Sequence, residues 1–147
     1  MTALTHLNLG GTTVKVDKER TDQACIRMRS NGRKGCSCAY CENYHTQLPD
    51  LLPPPVKAFF TLAGIDPRLP AEVYQFYEIK AGLHLYGAEY YFFGAVDPID
   101  IKSLEASHAF HISLGTPSPL IPQEFREEGA ICFEFVMPLP WMIERQP

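Results

Sequence analysis

The sequence predicts an α+β domain in which a mostly antiparallel sheet of five to six strands carries two or three short helices from the N-terminal half packed on one face. Helix punctuation, in the form of an N-cap aspartate, a proline start and a glycine stop, is confined to residues 17–64. Beyond Pro67 the texture changes to Tyr- and Phe-rich alternating runs separated by Gly and Pro turns. Strands and helices therefore fall in separate blocks instead of alternating, which is the pattern of an α+β layer and not of a parallel sheet. With 147 residues and 46% apolar content the chain has material for one domain and one core.

The elements follow in order. Thr5 to Asp17 alternates polar and apolar residues around Gly10-Gly11 and predicts a β-hairpin. Asp17 is the cap of a helix running to Asn31-Gly32, although its stripe of Ala24, Cys25 and Met28 is thin enough that a strand over Cys25 to Arg29 is the alternative. Gly35 opens a Cys-rich loop and short helix over about 35–48, with Cys38, Cys41, His45 and Leu48 spaced three and four residues apart along one face. The prolines from Pro53 to Pro55 end that segment and open a helix through Val56, Phe59, Phe60 and Leu62 that stops at Gly64. Strands are then predicted at Glu72 to Ile79 and Leu83 to Val96, joined by Lys80-Ala81-Gly82, with a break or bulge expected at Gly87. Ser107 to Leu114 and Ala130 to Met137 complete the set, separated by the proline-rich loop TPSPLIPQEFREEG.

Charge excludes one class of partner. Residues 1–50 hold seven Lys/Arg against five Asp/Glu and residues 51–147 six against twelve, so the halves carry +2 and −6. A nucleic-acid binder working by counterion release needs the opposite balance, and the basic group Arg27, Arg29, Arg33, Lys34 is read as a solvated loop. The start of the chain has no basic-then-apolar leader pattern, and no apolar run approaches the ~20 residues of a membrane span. Five cysteines, an odd number, with three of them in six residues, suit a reducing compartment, so a cytoplasmic location is expected.

The chemistry is concentrated in Cys36-Ser37-Cys38-Ala39-Tyr40-Cys41, a C-x-C-x2-C cluster. Thiolates this close repel one another, and a bound divalent cation removes that cost. Zinc is the natural cofactor; Cys36, Cys38 and Cys41 give three ligands of a tetrahedral site, and His45 or, alternatively, Cys25 the fourth. The competing chemistry is thiol catalysis, redox or nucleophilic, by Cys38 or Cys41, a C-x2-C pair where the helix dipole lowers a thiol pKa. Against it stand the missing βαβ context and the third cysteine upstream.

The same stretch, continued through Glu42-Asn43-Tyr44 and followed by Gly64-Ile65-Asp66-Pro67 and Pro70-Ala71-Glu72-Val73, resembles a small family of uncharacterised bacterial proteins. That family has a C-x-C-x-Y-C-x-N-[FY] segment before a helix, a GIDP turn, a P-x-E strand start, an aromatic hairpin matched here by Leu83 to Gly94, and a terminal strand ending near Pro140-Trp141. The likeness spans residues 36–141 and implies a cytosolic bacterial protein of one domain, without an activity to transfer.

Other residues carry weaker expectations. His108 and His111 fall on opposite faces of a strand and cannot share an ion, and His84 reads as a polar sheet residue. Glu78 and Glu89 lie on the two arms of the hairpin, where a solvated polar face explains them as well as an acid/base pair does. Eight of the seventeen aromatics fall between Tyr74 and Phe93. Two or three helices cover one sheet face but hardly both, so Tyr74, Tyr86 and Tyr90 are expected to be partly open and to form a surface for a protein or small ligand. The expected function is an interaction or accessory protein with a zinc-stapled loop, the alternative being the thiol-dependent enzyme.

Overall fold

The computed structural model describes residues 4–9, 12–32, 35–96, 102–107 and 110–147. Seven strands form one sheet in which every pairing is antiparallel. In chain order the elements are β1 (Thr5–Leu9), β2 (Thr12–Val16), α1 (Lys18–Ser30), α2 (Ala39–Gln47), α3 (Pro54–Ala63), β3 (Glu72–Lys80), β4 (Leu83–Val96), β5 (Lys102–Ser107), β6 (Phe110–Gly115), a 3-10 turn (Gln123–Phe125) and β7 (Ala130–Pro140). The fold class is α+β, with one strand more than expected: KSLEAS at β5 has no β-branched residue to announce it. His108 lies outside the described residues. No helix among the described residues is long and apolar enough to cross a membrane.

β4 is the organising strand. It is 14 residues long; Leu83 to Phe93 pair with β7 along one edge, while the other edge takes β3 over the first half and β2 over the last three positions. Alternation then sends Tyr86, Ala88, Tyr90 and Phe92 to one face and Tyr91 and Phe93 to the other. The first face is closed by α2 and α3 through Tyr44, Leu48, Val56, Phe59 and Phe60, where Phe59 stacks on Phe133 at 5.4 Å between centroids.

The expectation that all helices share one face is corrected here. α1 packs Ala24, Cys25 and Met28 against Tyr91, Phe93 and Cys132 on the opposite side, joined by Phe125 of the 3-10 turn, which stacks on Phe93 at 5.2 Å. The physical reason is that β4 and β7 present apolar residues on both faces, and each must leave water. Capping fixes the position of α1: Asp17 accepts the Arg20 N–H at 3.2 Å, and Thr21 Oγ1 both donates to the Asp17 carbonyl and accepts the Phe93 N–H. α3 begins on Pro54 and ends at Gly64, whose φ of 81° and close approach to α1, 2.7 Å from a would-be Cβ to Asp22 Oδ1, exclude other residues.

The bulge expected at Gly87 is also corrected, because the register shifts lie in β3, between Gln75 and Tyr77 and between Glu78 and Lys80. Gly87 is needed for a different reason. The Tyr74 ring lies on it, and a Cβ there would sit 2.3 Å from Tyr74 Cε2.

Candidate metal centre

The site is built where the loop enters α2. Cys38 occupies the N-cap in extended conformation, with φ −68° and ψ 165°, and its carbonyl accepts the Glu42 N–H at 3.0 Å. The chain curls so that the Cys38 N–H donates to Cys36 Sγ at 3.4 Å. One turn into the helix, Cys41 projects the same way. The three sulfurs lie within 4.8 Å of one another, and no other group of three or more Cys, His, Asp or Glu ligand atoms this compact occurs among the described residues.

The three thiols sit in different environments. Cys36 is exposed, Cys38 half-buried and Cys41 buried. The Cys41 N–H at the start of α2 is the main influence holding the Cys38 thiol below its ordinary pKa, with the Cys36 and Cys41 thiols and the Tyr40 N–H adding to it. Cys41 is pushed up to about 12, first by burial and then by its two neighbours. The cluster therefore resists holding three negative charges by itself, and a cation relieves that resistance.

α2 is held by buried polar residues. The Asn43 amide donates to the Pro140 carbonyl at 3.1 Å and accepts the Met142 N–H at 2.8 Å, and Gln47 donates to the same carbonyl at 2.9 Å. The Tyr86 hydroxyl donates to the Tyr40 carbonyl at 2.8 Å. Tyr90 donates its proton to the Pro67 carbonyl, so Tyr44 is the donor in the 2.7 Å contact between the two phenols. The C-terminal tail adds a strap: Arg145 donates to the Ser37 carbonyl at 3.0 Å and reaches Glu42 at 3.3 Å. One guanidinium thus ties the residue between the first two cysteines to the residue after the third.

The proposed fourth ligands fare differently. His45 shares with Cys36 and Cys41 a cleft of about 160 Å³ whose other wall is Pro70 to Val73, including Glu72. Its ring nitrogens are outside the compact sulfur group, it packs edge-on to Tyr44 at 5.4 Å, and burial lowers its pKa. Cys25 is in the other core, where its thiol faces the Gly64 carbonyl at 3.7 Å and burial raises its pKa. The Cys25 alternative is therefore corrected, because α1 carries it to the face of the sheet away from α2.

The aromatic partner surface is corrected as well. Tyr86 and Tyr90 are 0% and 1% exposed. They are the hydroxyl props of α2 described above, and only Tyr74 remains half-open, its hydroxyl donating to Glu134. The exposed aromatics of the hairpin are Phe76 and Tyr77, midway along β3. Glu78 and Glu89 do not form a pair: Glu78 contacts His84 at 3.3 Å, while Glu89 stands opposite Glu72 and Glu134 in register. Burial first, and those two carboxylates second, raise the Glu89 pKa. His84 is buried between Glu78 and Gln75, and His111 is exposed.

Sequence reasoning missed Glu72 and Arg145 at the site. Neither had a local signal, since 31 or more residues separate each from Cys41 in the chain. No protein-family model, no curated protein and no solved structure matches this chain.

Proposed function

We propose that the chain is a metal-thiolate accessory protein of the bacterial cytoplasm, in which Cys36, Cys38 and Cys41 hold a zinc ion that staples the loop to α2. The observation that carries this is the convergence of three sulfurs within 4.8 Å on a braced loop–helix junction. Zinc suits the donor set, being soft enough for thiolates and content with a tetrahedral arrangement that does not depend on d-electrons. Five free cysteines fit a reducing compartment. The bacterial assignment rests on the family resemblance. With Tyr86 and Tyr90 buried, the element offered to a partner is the stapled loop itself and not the tyrosine sheet.

Metal analysis with native mass spectrometry of protein prepared without added metal tests this reading. One zinc per chain, and thiol modification that accelerates on adding a chelator, are expected. Equal modification rates with and without chelator overturn it.

A second reading has its own support in the unequal thiols. Cys38, lowered and accessible, would be the attacking sulfur of a thiol enzyme, and Cys41, buried and raised, the resolving one. Rapid alkylation of Cys38 alone in metal-free and as-purified protein alike would favour it.

A further inference from the structure

The sheet face that carries α1 is closed over only part of its length among the described residues. Tyr91, Phe93 and Cys132 are buried there beneath α1 and the 3-10 turn. Farther along the same face, Leu85 and Glu89 of β4 and Glu134, Val136 and Pro138 of β7 are all partly exposed. The intervening Tyr86, Ala88, Phe135 and Met137 point the other way and are buried in the core under α2 and α3. β3 extends the open area. Tyr77 stands opposite Leu85, the Tyr74 ring lies on Gly87, and Phe76 packs edge-on against Tyr74 at 5.1 Å. Phe76 and Tyr77 are 50% and 58% exposed. The border between this apolar patch and the part under α1 is acidic. Glu72, Glu89 and Glu134 stand opposite one another on three adjacent strands, so their side chains leave the same face. No Lys, Arg or His among the described residues forms an ion pair with any of them. Like charges directly opposite repel, and the raised pKa of Glu89 is in line with that.

We propose that this open half-face is a docking site for a cationic amphipathic helix of a partner protein, with its apolar stripe over Tyr74, Phe76, Leu85 and Val136 and its Lys or Arg side chains over Glu72, Glu89 and Glu134. The surface is separate from the stapled loop, since α2 and its cysteines lie across the sheet, and the inference does not depend on the metal. Three observations select the occupant. First, the other half of this same face is already covered by a helix, α1, through Ala24, Cys25 and Met28, so a second helix beside it continues the layer. Second, β3 is poorly suited to accept an added strand along its open edge. Its register shifts leave Phe76 and Ile79 as extra residues, and such bulges interrupt the ladder that strand addition needs. Third, the carboxylate row requires positive charge opposite it, which rules out nucleic acid and an anionic membrane surface. A second copy meets that need poorly: the basic residues that register places on this face among the described side chains are Lys80 and His111, one lysine against three carboxylates.

The test titrates the full chain with three synthetic peptides of about 18 residues, five helical turns. One has Leu on one helical face and Lys on the other, one has Glu in place of Lys, and one has the Leu/Lys composition in scrambled order. The Leu/Lys peptide should bind saturably at one per chain and gain helicity by circular dichroism, with the other two at least about 10-fold weaker. Hydrogen exchange should show new protection in β3 and the first half of β4. Phe76→Ser, and separately Glu72→Gln with Glu89→Gln, should each weaken binding about 10-fold while melting no lower than about 0.5 kcal/mol below the parent. Leu62→Ser, at an equally exposed position on α3, should leave binding unchanged. Equal affinity for the scrambled or the Glu peptide, protection outside this face, or indifference to the Phe76 and Glu72/Glu89 variants would overturn the proposal. So would a chain that sediments as a dimer and becomes monomeric in Phe76→Ser, because the face would then be filled by a second copy.

Discussion

Two residues three positions apart, Cys38 and Cys41, have opposite acidities for reasons local to each. Cys38 is at the mouth of α2 beneath backbone N–H groups, whereas Cys41 is one turn inside and out of water. Metal binding must therefore displace a proton from Cys41 at neutral pH, and affinity should rise with pH. Cys38→Ser removes one ligand without touching either core. It should abolish stoichiometric zinc binding while leaving the melt of metal-free protein within about 0.5 kcal/mol of the parent, checked by calorimetry in chelator. Glu89 supplies a second pH effect. Its folded pKa is raised above the ordinary value near 4.5. The folded state thus holds a proton that the unfolded state has released, and stability is lost as pH rises through that window. Glu89→Gln should melt higher than the parent at pH 7, with the advantage shrinking towards pH 4. An advantage that is flat across that range would refute the assignment.

At the scale of elements, α2 is nine residues long and only weakly amphipathic, and an isolated helix of that length does not form in water. Its position comes from tertiary hydrogen bonds, above all those of the fully buried Asn43. Asn43→Ala would leave the Met142 N–H and the Pro140 carbonyl with fewer partners and should cost about 2 to 3 kcal/mol. Chemical denaturation measures that cost, and metal affinity should fall with it because the helix carries Cys41. Gly87 plays a comparable part in the sheet. Gly87→Ala must push the Tyr74 ring off the strand, so its denaturation midpoint should drop, and a variant that also carries Tyr74→Ala should lose part of that penalty.

For the whole molecule, the decisive feature is a sheet covered on both faces around β4. Two cores of buried apolar side chains do not depend on the cysteine loop for their packing, so metal removal should leave a cooperative melt at a lower temperature. Loss of cooperative unfolding in chelator, followed by calorimetry, would show instead that the site and the cores form one unit. The same architecture makes Phe93 a core residue and not a surface one. Phe93→Ala should cost about 3 to 5 kcal/mol, comparable to an equivalent truncation of Phe133 on the opposite face.

Local chemistry settled most of the element boundaries. The Asp17 cap, the Pro54 start, the left-handed Gly64 and the turn at Gly82 are each written in one or two residues, and the crowding of Cys36, Cys38 and Cys41 follows from their spacing alone. What the residues could not state was which side of the sheet each helix would occupy. That depends on how alternating rows from β4 and β7, 37 or more residues apart along paired positions, share out apolar surface. For the same reason Tyr86 and Tyr90 looked available to a partner and are in fact props beneath α2, while Cys25 looked close to the cluster and faces the opposite core. Glu72 lines the cleft beside Cys36 and Cys41, and Arg145 ties Ser37 to Glu42, only because β3 and the C-terminal tail are folded back onto the loop, a juxtaposition across the chain that no periodicity or short motif encodes.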